Sequence, residues 1–305
     1  MSTGERLCPH CSAGETIGAA EKIWPDSWRC GSCNHRVESR DGIPMFAPAL
    51  ADTEVGMNPL GFEPLAGREA GHFWFEPRNR LLTSLIGRYF PASRDFLEVG
   101  CGTGFVLSAV AKSKSWSRIV GSELHPAGLA YARKRADSSA EFVQMDATQI
   151  PARNAFDVVG AFDVLEHIPD DEKALAEIFS ALRPGGGAVL AVPQHPFLWS
   201  REDEIALHQR RYRRNELQEK VRRAGLEILF SNSYTSFLLP LMAASRLMSR
   251  NRAPISSGES NPEFNLPPAL NAILRGALQA EVTLSLLGLP LPAGGSRIVV
   301  ARKPR

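Results

Sequence analysis

Long hydrophobic runs, an excess of one charge and evenly spread cysteines are all missing from this sequence. No stretch reaches the ~20 apolar residues of a membrane-spanning helix, and the opening MSTGERLCPH has no apolar segment of the signal-peptide kind. The 35 basic and 33 acidic side chains leave a formal net charge of +2, so no overall field attracts nucleic acid. These absences favour a cytoplasmic protein. The 44% of hydrophobic residues over 305 positions suffices for a large core.

The cysteines are few and clustered, since four of the five fall in the first 33 residues. The segment CPHC holds Cys8 and Cys11, and CGSC holds Cys30 and Cys33. Two such pairs can place four thiolates around one tetrahedral ion, for which Zn²⁺ is the best fit. Because four protein ligands close the coordination shell, we predict a structural and not a catalytic zinc. A redox pair, an iron–sulfur site and a site that has lost its metal stay open as alternatives.

The chain changes character after this motif. Residues 48–66 contain prolines and glycines with little periodicity, which is typical of a linker. We therefore divide the chain into a zinc-ribbon module at 1–47, a linker at 48–66 and a large domain at 67–305. In the large domain, short apolar runs alternate with segments of helical spacing, which predicts an α/β fold.

Three glycines at alternate positions follow a short apolar run in DFLEVGCGTG, residues 95–104. The run suits a buried parallel strand and the following FVLSAVAKS suits a helix, so the glycines form a strand-to-helix turn with backbone N–H groups facing a ligand. The dinucleotide fingerprint fits poorly, because the third glycine comes one residue early and Phe105 follows it. A phosphate-binding P-loop is excluded, since no Gly-Lys-Ser/Thr ends the turn.

Acidic residues stand at the ends of three successive predicted strands. Glu98 ends RDFLEV, Glu123 ends RIVGSE and Asp146 follows EFVQM. Each alone is more often a capping or solvated side chain. Because strand ends of a parallel sheet meet at one edge, where α/β proteins bind ligands, we expect the three carboxylates to share a binding site.

This pattern of ExGxGxG followed by strand-end carboxylates resembles class I S-adenosylmethionine (AdoMet)-dependent methyltransferases. The resemblance covers residues 70–230 best. It implies a Rossmann-like, seven-stranded, mostly parallel sheet flanked by helices, whose last strand is antiparallel. It also implies AdoMet as cofactor, with Glu98 near its amino group, Glu123 on the ribose and Asp146 at the adenine. The full set of implied cofactor-binding residues is Glu98, Gly100, Cys101, Gly102, Gly104, Glu123, Leu124, Asp146, Ala147, Phe162, Asp163 and Arg78.

Candidates for work on the methyl acceptor lie in two segments. LEHIPD contains His167, and the long loop PQHPFLWSREDEIALHQRRYRR contains His208 and Tyr212. HQRRY resembles a segment of the family branch that acts on small or lipid-linked acceptors. Long loops at this sheet edge usually line the pocket, so we predict His208, His167 and Tyr212 as catalytic residues. A structural, hydrogen-bonded histidine is the alternative for both histidines.

Two apolar helical segments interrupt the final strands at about 234–290. Neither is long or clean enough to span a bilayer. A lid over the pocket, a dimer surface and a pair of membrane-interface helices with basic flanks all fit the sequence.

The sequence therefore predicts an AdoMet-dependent methyltransferase with an N-terminal structural zinc ribbon. Its expected acceptor is a small molecule or a sugar- or lipid-linked group, and whether oxygen, nitrogen or carbon is methylated stays open. The alternatives are an RNA methyltransferase and an AdoMet-binding interaction protein without turnover. The near-neutral charge and the lack of an Asn/Asp-Pro-Pro-Tyr motif argue against nucleic acid. We expect peripheral membrane contact only through the insertion, expect metal removal to leave AdoMet binding unchanged, and leave the oligomeric state open.

Overall fold

The structure is a computed structural model. It describes residues 4–18, 21–53, 55–136, 140–249 and 266–305, without the side chains of 247–249. The predicted loop between the two helices of the insertion lies mostly outside these residues.

Twelve strands form within the described residues. They are β1 (Glu5–Leu7), β2 (Gly14–Thr16), β3 (Glu38–Arg40), β4 (Ile43–Met45), β5 (Asp95–Val99), β6 (Arg118–Glu123), β7 (Ala140–Gln144), β8 (Ala152–Arg153), β9 (Phe156–Phe162), β10 (Leu182–Pro193), β11 (Glu227–Tyr234) and β12 (Ser296–Arg302).

Of the described helices, those within loops are short and those that pack on the sheet are longer. They are α1 (Phe62–Ala66), α2 (Phe75–Tyr89), α3 (Phe105–Ser113), α4 (Pro126–Arg135), α5 (Asp171–Ala181), α6 (Arg201–Ile205), α7 (Glu216–Arg223), α8 (Leu239–Ser249) and α9 (Pro268–Leu286).

The main sheet runs in the order β11-β12-β10-β9-β5-β6-β7-β4-β3. From β10 to β4 all neighbours are parallel, and β12 is antiparallel to both β10 and β11. Strand β5 is buried along its whole length, as expected for a strand covered on both faces. The predicted mostly parallel α/β sheet with helices on its faces and an antiparallel last strand is confirmed.

The N-terminal strands extend this sheet beyond the seven that we predicted. Met45 of β4 pairs in parallel with Gln144 of β7, and β3 pairs antiparallel with β4. Strand β1 lies between β2 and β8 in a separate three-stranded sheet. Trp24 is buried against Phe156 in the core below the main sheet. The first 47 residues therefore pack on the larger domain along its edge, and the predicted domain boundaries stay a prediction.

Apolar side chains fill both faces of the sheet. One core contains α5 and α7, and the other contains α2, α3 and α9. Helix α2 buries Leu81, Leu82, Leu85 and Ile86, whose spacing forms one helical stripe. Helix α9 packs against α2 and buries Leu274, Leu278 and Val282, so this half of the insertion belongs to the core.

Among the helices of the described residues, none combines the length and the hydropathy that a bilayer crossing requires.

Candidate active site

The glycine turn after β5 needs glycine at the positions where neighbours come closest. Gly100 has a φ of +67°, and a Cβ there would lie 2.5 Å from Val164 Cγ2. Gly104 has a φ of +75°, and a Cβ there would lie 2.8 Å from the Ala132 Cα of helix α4. Both positions exclude a side chain by conformation and by space. Gly104 thus serves the packing of α3 on α4 and does not line the cavity described below.

Glu98 and Glu123 end neighbouring strands, β5 and β6. Glu98 is buried and its Oε2 has no hydrogen-bond partner within the described part of the chain. Burial raises the pKa of Glu98 well above its ordinary value, and the charge of Arg78 opposes this rise. Glu123 accepts hydrogen bonds from the backbone N–H groups of Gly102 at 3.0 Å, Leu124 at 2.8 Å and His125 at 3.3 Å. One carboxylate has room for about four such bonds, so Glu123 retains room for about one bond from a ligand.

Asp146 stands at the end of β7, in the third strand-end position. Its Oδ1 accepts from the Thr148 backbone N–H at 2.8 Å, and its Oδ2 accepts from the Thr148 hydroxyl at 2.9 Å. These bonds hold the turn, and Asp146 and the neighbouring Ala147 both line the cavity. The structure therefore brings the three predicted carboxylates to one edge of the sheet.

A cavity of about 870 Å³ opens along this edge. Such a volume is in the usual range for small-molecule sites. Eleven of the twelve predicted cofactor residues line it, namely Glu98, Gly100, Cys101, Gly102, Glu123, Leu124, Asp146, Ala147, Phe162, Asp163 and Arg78. The Cys101 side chain belongs to a buried apolar cluster with Ile43 and Leu129, and its Sγ packs close to Gly121.

Arg78 lies in the first half of α2 and is buried. It forms a salt bridge with Asp163, and its guanidinium lies 4.6 Å from the centre of the Trp74 ring. Asp163 has a φ of +55°, which lies in the left-handed region that few non-glycine residues adopt. Helix α2 and the loop after β9 are thus connected across the cavity by a buried ion pair.

Two residues that our sequence reading did not select also shape the site. Glu69 accepts hydrogen bonds from the Thr103 hydroxyl at 2.7 Å and forms a salt bridge with Arg135, so the segment before α2 is fixed to the glycine turn. The ring nitrogens of His125 lie 3.2 Å and 2.7 Å from the carbonyl oxygens of Ala51 and Val55. The only sequence signal for a place of His125 at the site is that it follows Glu123 by two residues.

His167 and His208 line the same cavity from two different loops. Their rings meet edge to face with centroids 4.8 Å apart, and His208 Nδ1 lies 2.8 Å from Asp203 Oδ1. Burial, together with the charge of His208, lowers the pKa of His167 to about 3, so His167 is neutral at pH 7. The structure thus brings together the two predicted histidines, and their catalytic role stays a prediction.

Tyr212 lies elsewhere, in contrast to its predicted place beside the acceptor. Its side chain is fully buried, does not line the cavity and donates a hydrogen bond to Asp171 Oδ2 at 2.6 Å. Burial raises the pKa of Tyr212, and the bond to Asp171 raises it further. This hydroxyl is engaged in packing α5 and has no access to a ligand, so we withdraw Tyr212 as a catalytic candidate.

The four N-terminal cysteines meet at one point. Their sulfur atoms all lie within 4.8 Å of one another, with Cys8 and Cys33 at 3.6 Å and Cys11 and Cys30 at 3.7 Å. Four sulfurs at the Zn–S distance of 2.3 Å around a tetrahedral ion stand roughly 3.8 Å apart. The arrangement therefore fits a Cys₄ metal site, and the identity of the ion belongs to the proposal below.

Comparison with known proteins gives relatives among methyltransferases. A Mycolicibacterium smegmatis protein named as a probable S-adenosylmethionine-dependent methyltransferase is 29% identical over 171 residues, covering 55% of this chain and 65% of the relative. Trans-aconitate 2-methyltransferase of Variovorax paradoxus is 29% identical, covering 39% and 47%. Phthiotriol/phenolphthiotriol dimycocerosates methyltransferase of Mycobacterium leprae is 35% identical, covering 31% and 36%. The matches thus span between about a third and two thirds of these relatives.

Solved structures share the fold. A chain from the complex between the Haloferax volcanii Trm112 methyltransferase activator and a methyltransferase superimposes with a TM-score of 0.53 at 19% identity, covering 80% of this chain and 96% of its own. Haemonchus contortus phosphoethanolamine N-methyltransferase 2, solved with S-adenosyl-L-methionine, gives 0.50 at 18% identity, covering 73% and 52%. At these identities the likeness concerns the fold alone.

The family model described as "Methyltransferase domain" matches residues 97–190. This range contains the glycine turn, Glu98, Glu123, Asp146 and the strand that leads to Asp163. The glycine turn and the strand-end carboxylates therefore lie in the part of the chain that is similar to the methyltransferase domain, and the solved structures share the sheet that carries them.

Proposed function

We propose that this protein transfers the methyl group of AdoMet to an acceptor with an apolar body, either a small molecule or a lipid- or sugar-linked group. The family match and the relatives support methyl transfer. Relatives named for trans-aconitate and for phthiotriol dimycocerosates differ widely in acceptor, so the names alone do not select one. The choice of an apolar acceptor rests on the cavity of this chain.

The residues at the strand ends fit AdoMet. Glu98 holds a buried carboxylate oxygen without a partner, which suits the ammonium of an amino acid. The remaining acceptor position of Glu123 suits a ribose hydroxyl, and Asp146 with Ala147 also lines the cavity. When bound, AdoMet supplies a methyl group that its sulfonium already activates, so the protein mainly has to position the acceptor and exclude water.

The observation that carries the acceptor class is the apolar wall opposite the carboxylates. The same cavity continues to Leu238, Leu241 and Met242 around α8 and to Leu270 and Leu274 of α9. Leu241 and Leu270 are 57% and 41% exposed, so the rim itself is apolar. Burial of apolar surface stabilises binding by about 25 cal/mol per Å², which favours an acceptor with a hydrocarbon part.

Peripheral membrane contact is part of the same proposal. Helix α9 and the residues after it expose further large apolar side chains, among them Ile273 and Leu287. An apolar surface beside the cavity mouth suits an acceptor that is presented by a lipid surface.

Zinc in the N-terminal Cys₄ cluster completes the proposal. The sulfur spacing fits four thiolate ligands, and a closed shell of this kind gives the ion a structural role. Metal content measured on purified protein tests this part, with at least one zinc retained per chain as the expected result.

The proposed activity is tested with AdoMet that carries a labelled methyl group. We expect calorimetric titration to show AdoMet binding, and label from a cell extract to move into an organic-solvent fraction. Label in RNA would contradict the acceptor class. Binding without any labelled product would instead support an AdoMet-binding protein without turnover.

A further inference from the structure

Three side chains that can bind metal meet on the acceptor side of the cavity. Glu166 and His167 lie in the 3-10 turn Leu165–His167 after β9, and His208 lies in the loop that follows α6. One ligand atom from each lies within 4.8 Å of the other two, and His208 Nε2 is 3.9 Å from Glu166 Oε1. A backbone hydrogen bond from Gln209 N–H to the Glu166 carbonyl, 2.8 Å long, holds the two loops together. All three side chains line the cavity.

Among the carboxylates around this cluster, Glu166 has no arginine within ion-pair distance in the described residues, although the charges of Arg78 and Arg211 act on it. Asp163 has Arg78 as its salt-bridge partner, and Asp203 has Arg211 at 2.7 Å. Glu166 is fully buried, and neither of its carboxylate oxygens has a hydrogen-bond partner within the described residues. A buried carboxylate without a donor is costly unless a proton or a cation accompanies it.

The ring of each histidine has one nitrogen available to an ion. Asp203 accepts from His208 Nδ1, which directs Nε2 toward Glu166. His167 Nδ1 is buried without a hydrogen-bond partner in the described structure. Metal-binding histidines usually donate their second N–H to a carboxylate or a carbonyl, which fixes the nitrogen that faces the ion. Each ring therefore keeps one nitrogen for the cavity.

We propose that Glu166, His167 and His208 bind a divalent transition-metal ion on the acceptor side of the cavity. Two imidazoles and one carboxylate suit such ions and leave coordination positions open. The ligand atoms need to approach one another by about 1 Å to reach the usual spacing, which the loops around the 3-10 turn and His208 can supply.

The role of this ion rests on the proposed methyl transfer, although its binding does not. An acceptor hydroxyl beside the ion would lose its proton to solvent more easily. Its oxygen then forms the bond to the methyl carbon as the sulfur–carbon bond of the sulfonium breaks, and the sulfur leaves as a neutral thioether. Together with the apolar wall, the site thus favours a hydroxyl-bearing acceptor.

Cobalt titration of the metal-depleted full-length protein tests the site. Cobalt bound by thiolates gives intense near-ultraviolet charge-transfer absorption, whereas cobalt bound by nitrogen and oxygen gives only weaker visible bands. We expect two cobalt ions per chain, one of each kind. Cys11→Ser should weaken the first signal, and Glu166→Gln and His208→Gln should each weaken the second at least tenfold. Asp203→Asn, which acts through His208, should weaken it roughly 10- to 100-fold.

The control variant is His195→Gln, because His195 also has a buried ring nitrogen without a partner yet does not line the cavity. It should keep both signals. A wild-type protein that binds only the thiolate-held cobalt, or a second signal that survives both Glu166→Gln and His208→Gln, would overturn the proposal. Melting temperatures identify a variant that fails to fold. AdoMet titration of the same samples reports separately on the proposed function.

Discussion

At the scale of single residues, Glu123 and Glu98 show two ways in which a strand-end carboxylate can serve a ligand. Glu123 already receives hydrogen bonds from the backbone of Gly102 and Leu124, so it shapes the glycine turn and faces the cavity at once. Glu98 has one oxygen without a hydrogen-bond partner in the described part of the chain, so that oxygen can accept a hydrogen bond from a ligand. The two residues therefore differ in what their loss removes.

Substitution Glu123→Gln should weaken AdoMet binding roughly 10- to 150-fold, since hydrogen bonds to a charged group contribute about 1.5–3 kcal/mol. The amide also turns an N–H group toward backbone donors, so a lower melting temperature should accompany the loss. Glu141→Gln is the matched control, because Glu141 is a half-buried glutamate on the adjacent strand β7 outside the cavity. Calorimetric titration measures both. Wild-type affinity in a folded Glu123→Gln protein would remove Glu123 from the ribose position.

At the scale of elements, Asp171 connects α5 to α7 and to the loop between them. Its carboxylate receives hydrogen bonds from Tyr212 and Lys220, each 2.6 Å long, and lies 3.0 Å from Arg210. Burial on its own would raise the pKa of Asp171. The bonds from Lys220 and Tyr212 outweigh burial, and the pKa of Asp171 lies below its ordinary value.

Asp171→Asn should therefore lower the free energy of unfolding at pH 7, by about 1.5–3 kcal/mol for lost hydrogen bonds to a charged group. Because the folded pKa is depressed, the stabilisation is present above the ordinary pKa of about 3.9 and is lost as the pH falls through the folded value. The difference from wild type should be constant above about pH 5 and shrink below pH 4.

Urea unfolding across this pH range measures the effect. Glu172→Gln, next in the chain, is the matched control, because its pair with Arg223 is exposed and should add little stability. A difference between wild type and Asp171→Asn that persists unchanged into acid would mean that packing, and not the charge, holds α5 to α7.

How far the sequence predicts these elements depends on the range of the interactions. The strand ends at Glu98, Glu123 and Asp146 follow from apolar runs and a glycine turn, both of which are local, and the fold class is confirmed. The position of Tyr212 depends on Asp171, 41 residues away in the chain, and local patterns carry no information about such a contact. The pairing of β4 with β7 could not be predicted for the same reason, because Gln144 contacts residues almost a hundred positions earlier in the chain.

At the scale of the whole molecule, the N-terminal module reaches the cofactor side of the cavity. Gln144 of β7 exchanges hydrogen bonds of 3.0 Å and 2.7 Å with the backbone of Ala47 and donates a third to the Leu124 carbonyl. A few residues after Ala47, the carbonyl oxygens of Ala51 and Val55 contact the ring nitrogens of His125. Leu124 and Val55 line the cavity. The proposed zinc site is thus linked to the cavity wall next to Glu123 through β4 and the segment that follows it.

Loss of the proposed zinc should therefore weaken AdoMet binding, against our expectation from the sequence that binding would be unchanged. Cys11→Ser removes one sulfur ligand and leaves the Glu166 cluster intact, which a chelator would not. If one hydrogen bond of about 0.5–1.5 kcal/mol is lost around Gln144 and His125, AdoMet affinity falls roughly 2- to 10-fold. Titration of the full-length variant measures this, with Ser32→Ala, an exposed change in the same module, as control. Equal affinity in Cys11→Ser protein shown to lack zinc would mean that the segment keeps its place without the metal, and the module would then be independent of the cofactor site.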